Sequence, residues 1–196
     1  GSTVGSTVQS GAQMDNGQAK SAIENVYVEK NGKAYRIDHV IQAPQNSVYK
    51  TLSDNSQFSE FLNVCSGFDA TDLLSWAGIS DETNSFGTSE QSQYTIFTST
   101  YGTGKSAVQN ACLDFNVKFF NTYNYTLYAP DNDAMEKAYA AGLPRWSEIQ
   151  SLFNTYGEGA TQAIKDEAKL KIKALRDFAR YHFQSTSIYA DTKVEN

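Results

Sequence analysis

The stretch Tyr123-Asn-Tyr-Thr-Leu-Tyr-Ala-Pro130-Asp-Asn-Asp-Ala-Met135 constrains the chain more than any other. Tyr125, Leu127 and Ala129 alternate with Thr126 and Tyr128, the period of two that marks an extended segment. Pro130 ends the run because it has no N–H to give to a ladder. Asp131, Asn132 and Asp133 follow, with short polar side chains suited to the free N–H groups and positive end of a new helix. Ala134, Met135, Ala138 and Tyr139 continue at helical spacing, and Gly142 with Pro144 supplies the stop. The stretch therefore predicts a strand that runs directly into a helix.

Helical spacing recurs on both sides of it. Val48, Tyr49 and Leu52 suit a short helix. After Ser56 as cap, Phe58, Phe61, Leu62 and Cys65 form the apolar stripe of a second helix, closed by Gly67. Asp72 to Ala77 adds a further turn before Gly78. Trp146, Ile149, Phe153 and Tyr156 mark another helix, closed by Gly157 and Gly159. A longer one carries Ile164, Ala168, Ile172, Leu175 and Ala179 on one face, with six Lys or Arg mostly on the other. It runs into Tyr181-His182-Phe183, and 185–196 reads as extended.

Strand-like runs occupy 23–29 and 34–41. Between them lies Asn31-Gly32, a pair favoured in tight hairpins because both residues tolerate positive φ. Val4 and Val8, in a near-repeat rich in Gly, Ser and Thr, fit either an edge strand or a flexible arm. From 79 to 122 a polar loop (80–93) precedes a strand-like 94–98. A Gly-rich turn and the alternating Phe115, Val117 and Phe119 then predict an inserted hairpin.

Composition narrows the class of function. The 196 residues carry 22 acidic against 16 basic side chains, a net charge of −6, so nothing can track a phosphate backbone. Nucleic acid is not expected as a partner. No apolar run approaches the length that spans a bilayer. No secretory leader is present, which excludes nothing. Twelve Tyr and eleven Phe suit half-buried sheet surfaces or recognition faces. Cys65 and Cys112 permit one disulfide without arguing for it; Cys65, on an apolar helix face, is expected as a buried free thiol.

Three motifs together resemble the fasciclin (FAS1) family. The first is the strand, Ala129-Pro130, polar cap and Ala134-Met135. The second is Asn31-Gly32-Lys33-Ala34-Tyr35-Arg36-Ile37-Asp38-His39-Val40-Ile41-Gln42-Ala43-Pro44, similar to the family's closing signature. The third is Leu175-x-x-Phe178 leading into Tyr181-His182. Ser47 to Leu52 and Phe58 to Leu62 also resemble the family's opening helices. The resemblance implies an α+β fold, a FAS1-like antiparallel β-wedge with packed helices, here with the hairpin inserted at about 79–122. The closing signature precedes the opening helices. The expected organisation is thus 1–45 as the C-terminal strands of one repeat and 46–196 as the N-terminal part of the next, a fragment of a tandem bacterial-type surface protein. Residues 1–45 are expected to dock against 46–196, in cis as a permuted domain or between molecules as a strand-swapped homo-oligomer, because a half-sheet leaves costly edges.

Chemistry-bearing strings are weak. Tyr101-Gly-Thr-Gly-Lys105-Ser106 ends like a P-loop, yet Ser99 stands where the opening Gly belongs, so a glycine-rich turn is expected. His39 and His182 form no triad or metal cluster with neighbouring cues. Asp131 and Asp133 are explained by capping. Asn124-Tyr-Thr126 is a formal glycosylation acceptor at the start of a core strand. No catalytic site, cofactor or metal is expected. His182 is expected to satisfy backbone or carboxylate groups where helix meets sheet, while the resemblance implies Tyr181 and His182 as binding residues. It further implies an extracellular or cell-surface lipoprotein-like module, membrane-anchored in the full-length protein, that binds a protein, matrix or glycan ligand. A spacer repeat without its own ligand, or a small-molecule binder or enzyme built on 79–122, remain the alternatives.

Overall fold

The alternating run at 21–29 and the run at 32–37 pair as an antiparallel hairpin in the computed structural model, which describes residues 2–4, 7–9, 21–38, 47–98, 116–117, 119–120 and 125–186. The chain divides into two compact units, with the break after Ser47. The first holds a four-stranded antiparallel sheet of β1 (Ser2–Val4), β2 (Thr7–Gln9), β3 (Ser21–Glu29) and β4 (Gly32–Ile37), in that order. Val4 and Val8 thus lie in strands, β1 forming the sheet edge.

The hairpin turn is one residue earlier than the sequence suggests. Glu29 pairs with Gly32, so Lys30-Asn31 make the turn and Gly32 opens β4. Gly32 is not among the glycines at positive φ. Register explains this: the pairs Val26 with Tyr35 and Tyr27 with Ala34 fix the alignment, and the two residues left over form the loop. A bulge interrupts the ladder between Ile23 and Asn25. Every side chain from 24 to 36 is exposed, while Ile23 and Ile37 are half-buried, so this part of the hairpin holds no apolar core among the described residues. His39 and Val40 to Pro44, the Gly-rich turn at 101–106, Cys112, Asn124 and 187–196 lie outside the described residues.

The second unit is mainly helical. It contains α1 (Val48–Asp54), α2 (Ser59–Ser66), α3 (Thr71–Trp76), α4 (Asn132–Ala140), α5 (Trp146–Tyr156) and α6 (Gln162–Tyr181). Short ladders join β5 (Phe97–Thr98) to β6 (Asn116–Val117) and β7 (Thr126–Leu127) to β8 (Phe183–Gln184), all antiparallel. The class is α+β. Pairing of β5 with β6 occurs within the segment expected to hold a hairpin, but Tyr94 lies in a turn and Phe119-Phe120 form another, closed by Phe120 N to Val117 O at 3.2 Å.

Helix α6 packs against α2, α3, α5 and β8. Its buried residues Ala168, Ile172, Leu175 and Ala179 follow the predicted stripe. Phe61, Val64, Phe68, Leu74, Ile79, Met135 and Ile149 complete the centre of the core. Cys65 is buried there as a free thiol. Burial, with Asp69 nearby, pushes that thiol well above its ordinary range.

Caps decide where the helices start. Asp131 caps α4, its carboxylate accepting from Ala134 N at 2.8 Å. Ser56 is not the cap expected for the second helix. Asn55 accepts from Gln57 N at 3.2 Å and starts a 3-10 turn, so α2 begins only at Ser59. Within α2 Val64 is buried, whereas Leu62 stays half-buried. The free Glu60 N–H of α2 then donates to Asn132 Oδ1 at 3.1 Å, while Asn132 Nδ2 donates to Ser56 O at 3.0 Å. Asn132 thus ties the start of α4 to that of α2.

Replacing Asp131 with Ala should lower stability by about 1 kcal/mol, since one helix N–H loses its acceptor. Urea unfolding checks this. Asp133→Ala is the comparison and should cost less, because Asp133 contributes only charge in the first turn.

Candidate ligand-binding groove

The last turns of α6 and the strand that follows it build a groove. Asp177, Arg180 and Tyr181 are three and four residues apart and so fall on one side of the helix, opposite the buried Leu175 and Ala179. Phe183 of β8 and the Phe119-Phe120 turn provide the remaining walls. The groove opens to solvent and has a volume of about 510 Å³.

Phe183 anchors it. The ring lies 5.6 Å from Phe119, 5.5 Å from Phe97, 6.0 Å from Tyr125 and 6.3 Å from Phe61, centroid to centroid. Phe119 and Phe120 are 4.5 Å apart and tilted by 59°. These edge and tilted contacts suit the quadrupoles of the rings and hold a rigid apolar floor. Burial raises the Tyr125 phenol above its ordinary range, so that hydroxyl stays protonated.

Polar groups line one side. Arg176 donates through Nε and Nη2 to the same Asp177 oxygen, Oδ1, at 2.9 and 2.7 Å. The Arg176 guanidinium also lies 4.6 Å over the Tyr94 ring. Arg180 stacks 4.7 Å over Phe119 instead and has no carboxylate partner among the described residues. Tyr181 is 89 % exposed at the groove margin.

Tyr181 and His182 adjoin in sequence but have different surroundings. Tyr181 lines the groove, whereas His182 packs against Phe178 at 4.6 Å and Phe61 at 5.3 Å. His182 Nδ1 is 2.8 Å from Phe178 O, and a carbonyl only accepts, so Nδ1 carries the proton. Its backbone carbonyl accepts from Tyr128 N at 2.9 Å, extending the β7–β8 ladder. His182 therefore joins helix to sheet.

The sequence does not single out Phe119, Phe120, Asp177 or Arg180 as site residues. The two phenylalanines belong to the segment 79–122, and their one signal is a pair of aromatic residues beside a turn. Among the described residues, no group of three or more His, Cys, Asp or Glu is arranged to hold a metal. No helix among them is long and apolar enough to cross a membrane. Comparisons with family models, curated proteins and solved structures return no match to the chain.

Proposed function

We propose that the chain is a non-catalytic binding module of an extracellular or cell-surface protein, which adheres to a protein, matrix or glycan ligand through the groove beside Tyr181. The observation that carries this reading is the pairing of an almost fully exposed tyrosine with a three-phenylalanine floor. A tyrosine at the rim of a concave, aromatic-lined site is a residue type enriched among the anchors of recognition surfaces. The FAS1 resemblance points to the same role, with Tyr181 as a contact and His182 as its support.

A second reading, a small-molecule binder built on 79–122, draws on Phe119 and Phe120, which that segment contributes to the groove. Both readings are tested by screening the intact protein on glycan and matrix arrays alongside Tyr181→Ala. The variant should fold normally, because Tyr181 packs against little, and should lose about tenfold in affinity for whatever the wild type captures. Undiminished capture by Tyr181→Ala would remove the groove from consideration.

A further inference from the structure

We infer that the ligand of this groove is a carboxylated sugar, a uronate-type pyranose within a glycan chain, held by Arg180. The inference rests on the proposed reading of the groove as the ligand site. It starts from how the cations of α6 and its neighbours are used. Lys169 is paired with Glu90 at 2.9 Å, Lys171 with Glu148 at 2.8 Å and Arg145 with Glu136 at 2.6 Å. Arg176 is held by Asp177. Lys165, Lys173 and Arg180 have no carboxylate partner among the described residues, and of these Arg180 alone lines the groove, its guanidinium positioned by the face of Phe119. Stacking occupies the flat face of a guanidinium and leaves its N–H edge open to a bidentate anion. A carboxylate fits that edge.

Two further features select a sugar. Asp177 receives both Arg176 donors on Oδ1, and no described donor reaches its Oδ2. Oδ2 is thus an acceptor suited to a ligand hydroxyl, three residues from the Arg180 cation. The exposed Tyr181 ring at the groove margin offers a negatively polarised face, against which the weakly positive C–H face of a pyranose packs. An extended peptide would instead seek a row of unpaired backbone donors and acceptors, whereas the polar groups of this lining are side chains. The volume of about 510 Å³ lies within the span of small-ligand sites, roughly 300–1,000 Å³.

The test is titration calorimetry of the full chain with trigalacturonate, with its methyl ester, and with a Phe-containing tripeptide bearing a free C-terminus. The acid should bind at least about tenfold tighter than the ester, the range of one charge-assisted hydrogen bond. Its affinity should weaken with salt. Arg180→Gln should abolish that preference while retaining ester binding. Arg180→Lys, which keeps the charge but loses the fork, should retain a reduced preference, and it carries the test if the Gln variant does not fold. Equal binding of acid and ester overturns the inference, as does an intact preference in Arg180→Gln. Binding of the tripeptide without the sugar also overturns it. Neutral glycan binding that depends on Tyr181 would leave the groove as the site and remove only the charge selection. Absence of any Tyr181-dependent ligand on the arrays would remove both.

Discussion

Gly67→Ala should destabilise the protein by about 3 kcal/mol, although this exchange is ordinarily favourable at a helical glycine. Gly67 ends α2 with φ −61° and ψ −22°, a conformation any residue adopts, so backbone strain plays no part. The cost is steric. A Cβ built on Gly67 overlaps Cε2, Nε1 and Cδ1 of the Trp146 indole. That ring cannot simply move aside: Nε1 donates to Val64 O at 3.0 Å, and the ring packs edge-on against Phe68 at 5.0 Å. Val64 O is among the last carbonyls of α2, where intrahelical partners run out. Displacing the indole combines overpacking, about 1–3 kcal/mol, with a lost hydrogen bond of about 1 kcal/mol. Urea unfolding of Gly67→Ala, Trp146→Ala and the double variant separates these effects. In the Trp146→Ala background the same substitution should turn neutral or stabilising by up to about 1 kcal/mol, through the unfolded chain. A neutral Gly67→Ala in the wild-type background would refute the close approach of the ring.

Trp146 shows what the sequence could and could not reveal. Its place on the apolar stripe of α5 was legible from spacing, because a half-buried helix repeats its core face every three or four residues. The use of its N–H to finish a helix 82 residues earlier was not, since no local pattern encodes that contact. The same division holds elsewhere. Ala168, Ile172, Leu175 and Ala179 announced the buried face of α6, and Asp131 announced the start of α4. Asn132, its neighbour, read as one more cap for the same helix, yet its side chain serves α2. Gln91 read as part of a solvated loop, but it is 8 % exposed and its amide reaches Thr71 O, Ser75 Oγ and Ile79 O.

The candidate site divides in the same way. Tyr181 enters as a site residue only through the FAS1 resemblance of Leu175-x-x-Phe178 leading into Tyr181-His182; it is the last residue of α6. Arg180 reads as one of the basic residues on the outer face of α6, and Phe119 as part of an alternating strand. Their stacking joins the Phe119-Phe120 turn to a helix residue 61 positions further along. Period and propensity describe one element at a time. A groove is a relation between two of them.

Phe61→Ala should cost about 3–5 kcal/mol, the range for removing a fully buried aromatic ring, and should also reach the groove. Phe61 is 0 % exposed on α2 and lies beneath His182 and Phe183. Truncation leaves a cavity under the junction of α6 and β8, and Phe183 loses one of the rings that fix its position. Phe86 provides the contrast, being 89 % exposed on the loop after α3; Phe86→Ala should change stability by less than about 0.5 kcal/mol. Urea unfolding measures both, and near-UV circular dichroism reports whether the aromatic packing around Phe183 loosens in the folded Phe61 variant. Phe61→Leu should recover more than half of the loss, because it refills most of the volume. A loss below 1 kcal/mol for Phe61→Ala would place that ring outside the core and leave the floor of the groove without its support. The link between core and groove is directional. Phe183 shares its contacts between Phe61 beneath and Phe119 at the groove wall, so damage at Phe61 should weaken groove binding, whereas Tyr181→Ala at the rim should leave the unfolding free energy unchanged.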